Sequence, residues 1–138
     1  MASRQPPAAE FVRAFVATSP FARRIGLVVV DLSADRAELR LPFDEGNVTV
    51  ADVVHGGAIA TLLDVAVTAA AFCAPEALEA SSGATISLTV NYVRAGRGDL
   101  VAVGRAVRRA GGLCFCSAEA TDADGRTVAT AIGTYRYT

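Results

Sequence analysis

The chain has 138 residues, of which 52% are hydrophobic and 20% charged, with a formal net charge of −1. One domain usually takes about 100–200 residues, and a composition this apolar must bury a sizeable core, which excludes a disordered chain. The near-zero charge carries no basic block of the kind that tracks a nucleic-acid backbone, so nucleic acid is not an expected partner.

Residues Ala8–Thr18 place Phe11, Ala14, Phe15 and Thr18 on one helical stripe, which predicts a short amphipathic helix ended by Ser19-Pro20. Gly26–Leu32 is β-branched and strand-like, and Ser33-Ala34-Asp35 turns the chain. Arg36–Leu41 then alternates Ala37, Leu39 and Leu41 with Arg36, Glu38 and Arg40, the pattern of a half-buried hairpin. Pro42–Val54 is polar and Gly-containing and reads as a loop. His55–Ala74 is the only long helix, with Pro75 as its stop and Glu76–Gly83 as a loop. Four strands follow without another helix: Thr85–Val93, Leu100–Arg109, Leu113–Ala123 and Thr127–Tyr137. Gly111-Gly112 marks one turn, and Asp124-Gly125 predicts a type I′ hairpin turn, which needs positive φ at both central residues.

The expected architecture is therefore α+β: a hairpin, a buried helix and an antiparallel meander, with one sheet wrapped around one long central helix. Residues 1–138 form a single domain, and residues 1–20 supply an N-terminal extension with a short helix. The sheet's outer face and edges are left partly uncovered, which favours self-association.

Cys73, Cys114 and Cys116 form no C-x-x-C pattern, and His55 is the only histidine, so no metal site is expected. Cys114 and Cys116 share a strand face and read as packing residues. The polar, Pro-containing Met1–Ala9 lacks the apolar core of a signal segment. Gly56–Ala74 comes nearest to the roughly 18 apolar residues of a membrane span, but Asp64 interrupts it. The expectation is a cytoplasmic protein with reduced thiols and no membrane partner.

Asp64 is the most informative residue. It is the only acidic or basic side chain between Gly56 and Ala74. A helix apolar all round is buried, so this carboxylate belongs inside the protein or at a covered interface. There it must be paired, neutralised or functional. Gly57, Thr61, Asp64 and Thr68 are separated by four, three and four residues, which places them in a sector of roughly 60°. Gly57 lies in the first turn, where backbone N–H groups lack intrahelical partners and the helix dipole is positive. A substrate carbonyl oxygen set there meets a preorganised oxyanion site, and the missing side chain lets it approach closely. The residues alone also admit a blander reading. Asp64 can be a structural carboxylate bonded to a partner chain's Thr or Arg, with Thr61 and Thr68 bonded back to the helix. His55 can be a helix-start residue, and Gly56-Gly57 a close packing contact.

The run Val54-His55-Gly56-Gly57-Ala58-Ile59-Ala60-Thr61-Leu62-Leu63-Asp64 resembles the signature of hotdog-fold acyl-CoA thioesterases of the phenylacetyl-CoA (PaaI) type. In that family His-Gly-Gly opens the central helix and an acidic residue follows nine positions after the His. Asn91-Tyr92-Val93-Arg94 with Gly98-Asp99-Leu100 resembles the family's strand before a Gly-Asp hairpin. The stretch from Asp124-Gly125 to Gly133-Thr134-Tyr135 resembles its last hairpin. The likeness runs from about Gly26 to Tyr137, departing where many relatives have Pro and this chain has Ala95.

The resemblance implies the hotdog fold and hydrolysis of an acyl-CoA to a free acid and thiol, with no cofactor, coenzyme A being part of the substrate. It implies that Asp64 is the nucleophile or, through a water, the general base. The Gly57 N–H would bind the carbonyl oxygen, and His55 would help shape the site. Thr68 and Thr85 match hydroxyls that orient the water or the carboxylate. Asn47 matches a loop Asn before the motif and joins Gly56 on the substrate-binding side. Of the cations expected to flank the site, Arg94, Arg97, Arg105, Arg108 and Arg109, the last two are the preferred phosphate ligands. The family further implies a homodimer, often paired into tetramers, in which Gly57 of one subunit faces Asp64 of the other. Two other functions compete: hydration or dehydration of an enoyl or hydroxyacyl thioester, which in this fold needs a differently placed His–acid pair, and a non-catalytic acyl-CoA-binding module.

Overall fold

The computed structural model describes residues 8–74, 77 and 82–138; Pro75 and most of the loop that follows it, to which the sequence assigns the helix stop and a connection, lie outside them. Helix α1 (Ala9–Thr18) buries Ala9, Val12 and Val16, whereas Phe11 and Phe15 are each 45% exposed. The predicted stripe is thus not the buried one. Val12 and Val16, four residues apart, form a second apolar row, and that row meets the core. Ser19 ends α1 and then caps a helix the sequence reading lacked, α2 (Pro20–Ile25), by accepting from the Ala22 N–H. Pro20 at its first position needs no N–H partner, and Gly26 closes it at φ 87°.

Strands β1 (Val28–Ser33) and β2 (Arg36–Leu41) form the expected hairpin, with Ala37, Leu39 and Leu41 fully buried. Within the predicted Pro42–Val54 loop the chain forms two short paired strands, β3 (Val48–Val50) and β4 (Val53–Val54). The central helix α3 (Gly56–Phe72) follows, then β5 (Gly83–Tyr92), β6 (Leu100–Ala110), β7 (Leu113–Thr121) and β8 (Thr127–Tyr137).

The main sheet runs β1-β2-β6-β7-β8-β5, with every neighbouring pair antiparallel. Only β6, β7 and β8 are the expected meander. β5 does not lead it but lies at the far edge beside β8, with Thr85 opposite Tyr135 and Tyr92 opposite Ala129. Its connection to β6 therefore crosses the sheet end, where the Val54 N–H donates to the Gly96 carbonyl and Arg97 bridges to Val53. At the β6–β7 hairpin Gly111 and Gly112 have φ 58° and 76°, as a two-residue type I′ turn demands. The second turn differs from the prediction: Gly125 has φ 76°, but Asp124 is not in the left-handed region. The Gly125 N–H donates to the Asp122 carbonyl, and the Asp122 carboxylate accepts from the N–H groups of Asp124 and Arg126. That side-chain turn relieves Asp124 of a positive φ.

The inner sheet face is made largely of small side chains, including Ala102, Cys114, Cys116, Ala118, Ala120 and Ala131. The helix answers with Ala66, Ala69 and Ala70, so α3 lies close over β2, β6, β7 and β8. All three cysteines are free and buried, with the Cys114 and Cys116 sulfurs 3.5 Å apart. Burial pushes the Cys73 thiol up to about 11, as expected of a packing residue. Gly104 marks the closest approach, since a Cβ there would run into the Ala66 carbonyl. Gly104→Ala is expected to destabilise the fold by about 1–3 kcal/mol through overpacking, read as a lower urea midpoint. An unchanged midpoint would mean that helix and sheet do not press together at that point.

Candidate active site

The side of α3 turned away from the sheet is the only part of this helix left uncovered. Gly57 is exposed, and Ala60, Thr61, Asp64, Val65 and Thr68 are half-buried, while most of the helix's other residues are buried. The stripe of Gly57, Thr61, Asp64 and Thr68 picked out by spacing is therefore a real surface feature. Asp64 is not swallowed by the core, and no polar or charged residue is buried outright among the described residues. Of the two places expected of this carboxylate, the protein interior and a covered interface, the first is not occupied: Asp64 is half-buried on the face of α3 that its own chain leaves open.

One oxygen of Asp64 is held there. The Thr85 hydroxyl donates to Oδ1 at 2.7 Å. Thr85 reaches it because β5 is the edge strand beside β8, and a register shift between Thr85 and Ser87 re-aims this segment. Opposite Thr85 stands Tyr135, which sequence reading did not single out. Burial pushes its phenol up to about 12, and the nearby Asp64 carboxylate adds to the rise. Its signal in the sequence was only its place in an alternating strand; that it opposes Thr85 is a matter of strand pairing.

At the other end of the stripe, His55 is the N-cap of α3, and its Nδ1 accepts the Gly57 N–H at 2.8 Å. An acceptor at Nδ1 leaves the ring proton of a neutral imidazole on Nε2. The amide expected to receive a carbonyl oxygen is thus held by an exposed side chain that must swing aside to release it. Two more groups set the geometry of this turn. The Tyr92 hydroxyl, which the sequence places in the Asn91–Arg94 run without a role at the site, donates to the Gly56 carbonyl at 2.7 Å. Asn47 accepts the His55 N–H through its carbonyl, and its side-chain amide donates to the Ile25 carbonyl, both at 2.7 Å. Asn47 therefore ties the N-terminal segment to the helix start. Thr61 takes the blander role, donating back to the Gly57 carbonyl at 2.8 Å.

Gly57 and Asp64 share a face but stand seven residues apart, about 10 Å along the axis. One carbonyl group cannot touch both within a single chain.

The arginines divide. Arg109 is engaged at the other end of α3, where its guanidinium donates to the carbonyls of Ala70 and Ala71, to the Tyr137 hydroxyl, and to Asp35 at 2.6 Å. Burial works against its charge, but the bonds to Asp35 and Tyr137 outweigh it and hold the cation firmly protonated. The phosphate role expected of Arg109 is corrected here: it closes a helix C-terminus, whose orphan carbonyls and negative dipole end favour a cation. Arg108 beside it is exposed. Arg94, Arg97 and Arg126 line a hollow of about 420 Å³ near the β5–β6 connection, with Arg97 paired to Asp52 and Arg126 to Asp122 and Asp124. Among the described residues no three His, Cys, Asp or Glu side chains converge, and no helix is long and apolar enough to cross a membrane.

Comparisons with known proteins agree with this fold. The family model described as "Thioesterase superfamily" matches residues 51–129, a span that includes the whole of α3. A Halobacterium salinarum protein named as a candidate esterase is 33% identical, covering 94% of this chain and 91% of its own. A thioesterase family protein from Silicibacter pomeroyi superposes with a TM-score of 0.85 at 28% identity, covering 94% of this chain and 96% of that one. The E. coli PaaI protein of the phenylacetic acid degradation operon superposes with a TM-score of 0.81 at 17% identity, covering 95% and 93%, a likeness of fold.

Proposed function

The chain belongs to the thioesterase superfamily and has its hotdog fold, and from that premise we propose that it hydrolyses the thioester of an acyl-CoA to a free acid and coenzyme A. The observation that carries this reading is the Asp64 carboxylate, held by Thr85 on the one open face of an otherwise apolar helix. As general base, Asp64 takes a proton from water, and the hydroxide adds to the thioester carbon. The charge that develops on the carbonyl oxygen needs a preorganised donor, which the first-turn amide of Gly57 supplies once His55 swings away. Collapse of the tetrahedral species breaks the C–S bond, and the thiolate leaves and is protonated. As nucleophile, Asp64 would instead form a mixed anhydride that water then opens.

The two groups are too far apart on one helix to share a carbonyl, so the site is completed by a second subunit. β5 has a free edge and half-exposed Ile86 and Tyr92, which suits edge-to-edge pairing of two sheets into a homodimer. Val107, Phe115 and Ile132 are exposed hydrophobic side chains outside the pairing edge, a surface on which dimers can pair into tetramers. Arg108 and the Arg94–Arg97 hollow are the cations we assign to the phosphates of coenzyme A. The three buried free thiols suit the reducing cytoplasm.

Hydration or dehydration in this fold needs a differently placed His–acid pair, whereas the single histidine, His55, is the N-cap of α3 with its Nδ1 taken by the Gly57 N–H. The test is a thiol-release assay over a panel of acyl-CoAs. Steady hydrolysis is expected, and tight binding without thiol release would make the chain a binding module. The shared site has its own readout. Asp64→Asn and Gly57→Pro are each expected to be inactive, but random mixing of the two should restore about one quarter of wild-type activity, since half of the dimers then carry one intact site. No recovery on mixing would place the whole site within one chain.

A further inference from the structure

Beside Asp64 the structure holds an apolar hollow of about 160 Å³ between α1 and α3. It is lined by Phe11 and Phe15 of α1, Thr68, Ala69 and Phe72 of α3, and Tyr135 of β8. Three observations join it to the site. Thr68 lies one helical turn beyond Asp64 on the same stripe. Tyr135 stands opposite the Thr85 that holds the carboxylate. The Tyr135 phenol also feels the Asp64 charge. The α3 stripe that carries Asp64 therefore continues, at Thr68, into the lining of a chamber walled by aromatic rings.

The chamber is small. An apolar cavity of about 150 Å³ accepts one benzene, so this one takes about six carbon atoms. Its far wall is the Phe pair that the helical stripe of α1 presents and that the core leaves half exposed. Phe11 is fixed against Phe72, ring centroids 5.1 Å apart, and Phe72 packs edge-on against Tyr135 at 5.3 Å. Resting on the thioesterase reading above, we propose that this chamber receives the acyl tail of the thioester and that Phe11 and Phe15 are its length-determining residues, so the enzyme's substrates are compact acyl thioesters of about six tail carbons. Longer tails meet the Phe pair, and shorter ones leave the rings unfilled.

The experiment compares kcat/KM for saturated acyl-CoAs from butanoyl to palmitoyl in the wild type and in Phe11→Ala, Phe15→Ala and the double variant. The wild type is expected to favour hexanoyl-CoA over dodecanoyl-CoA by about tenfold or more, and the double variant to shift that ratio at least about tenfold toward the longer chain. Circular dichroism and a Phe15→Leu variant, which keeps an apolar residue on the helix, guard against loss of α1. A flat chain-length profile, or one unmoved by the folded variants, overturns the proposal. Calorimetric binding of hexanoate and decanoate reads the chamber without turnover. If no acyl-CoA is hydrolysed, the catalytic reading of Asp64 fails. In that case a hexanoate preference lost in the double variant still supports the chamber, and equal binding of both acids overturns it.

Discussion

An Asp64→Asn variant is expected to lose thioester turnover by about 10²- to 10⁴-fold, the range that a positioned general base supplies. The amide keeps the volume of the side chain and can still accept from Thr85, so the fold and the open face of α3 persist. What disappears is the charge that takes the proton or attacks the carbon. Loss should therefore fall on kcat, with KM little changed, because binding of the carbonyl oxygen belongs to the helix start. Thr85→Val is the graded companion. It removes the bond that fixes one carboxylate oxygen without removing the carboxylate, and about tenfold in kcat, or about 1.4 kcal/mol, is the expected scale. Thr85→Ser should recover most of that loss. Full activity in Asp64→Asn, with unaltered thermal stability, would return this carboxylate to a structural role at a subunit interface.

Arg109→Met should cost about 2 kcal/mol of stability, chiefly through the hydrogen bonds lost by the Tyr137 hydroxyl and by the Ala70 and Ala71 carbonyls. Among the described residues, Ala70 then keeps only the Cys73 N–H as a partner and Ala71 only the Tyr137 hydroxyl. The ion pair with Asp35 contributes less, because that carboxylate is 52% exposed and screened by solvent. Tyr137 also donates to the Ala71 carbonyl, so a single guanidinium closes the last turn of α3 and joins it to β8 and to the β1–β2 turn. Arg109→Lys should fail to rescue, since an ammonium cannot reproduce the planar fork. Arg108→Met is the control: exposed, it should move the unfolding midpoint by less than about 0.5 kcal/mol and act, if at all, on KM for acyl-CoA. A wild-type midpoint in Arg109→Met with a raised KM would reverse the two assignments.

Period and spacing were enough to delimit the hairpin, the long helix and the last three strands, because alternation and helical stripes are properties of consecutive residues. β2 spans Arg36–Leu41 and β8 spans Thr127–Tyr137, as read. Expectation and structure differ where two patterns compete locally. In α1, Phe11 and Phe15 and the row of Val12 and Val16 are both apolar, and only packing shows which row is buried. The same holds for Asp124, whose turn is decided by the Asp122 side chain rather than by its own dipeptide.

For the candidate site, the order of residues by itself determined the stripe of Gly57, Thr61, Asp64 and Thr68 and the isolation of one carboxylate on an apolar helix, since a helix converts spacing into direction without help from the rest of the chain. Tertiary structure alone decided that Thr85 bonds Asp64, that Tyr135 stands opposite it, that Tyr92 steadies the helix start and that Arg109 is taken up by the helix end. Each of those pairings joins residues 21 to 50 positions apart, whereas the cap of His55 on Gly57 is local. Strand order creates them: β5 passes over its neighbours in sequence to pair with β8, and no period within either segment encodes which edge it will join.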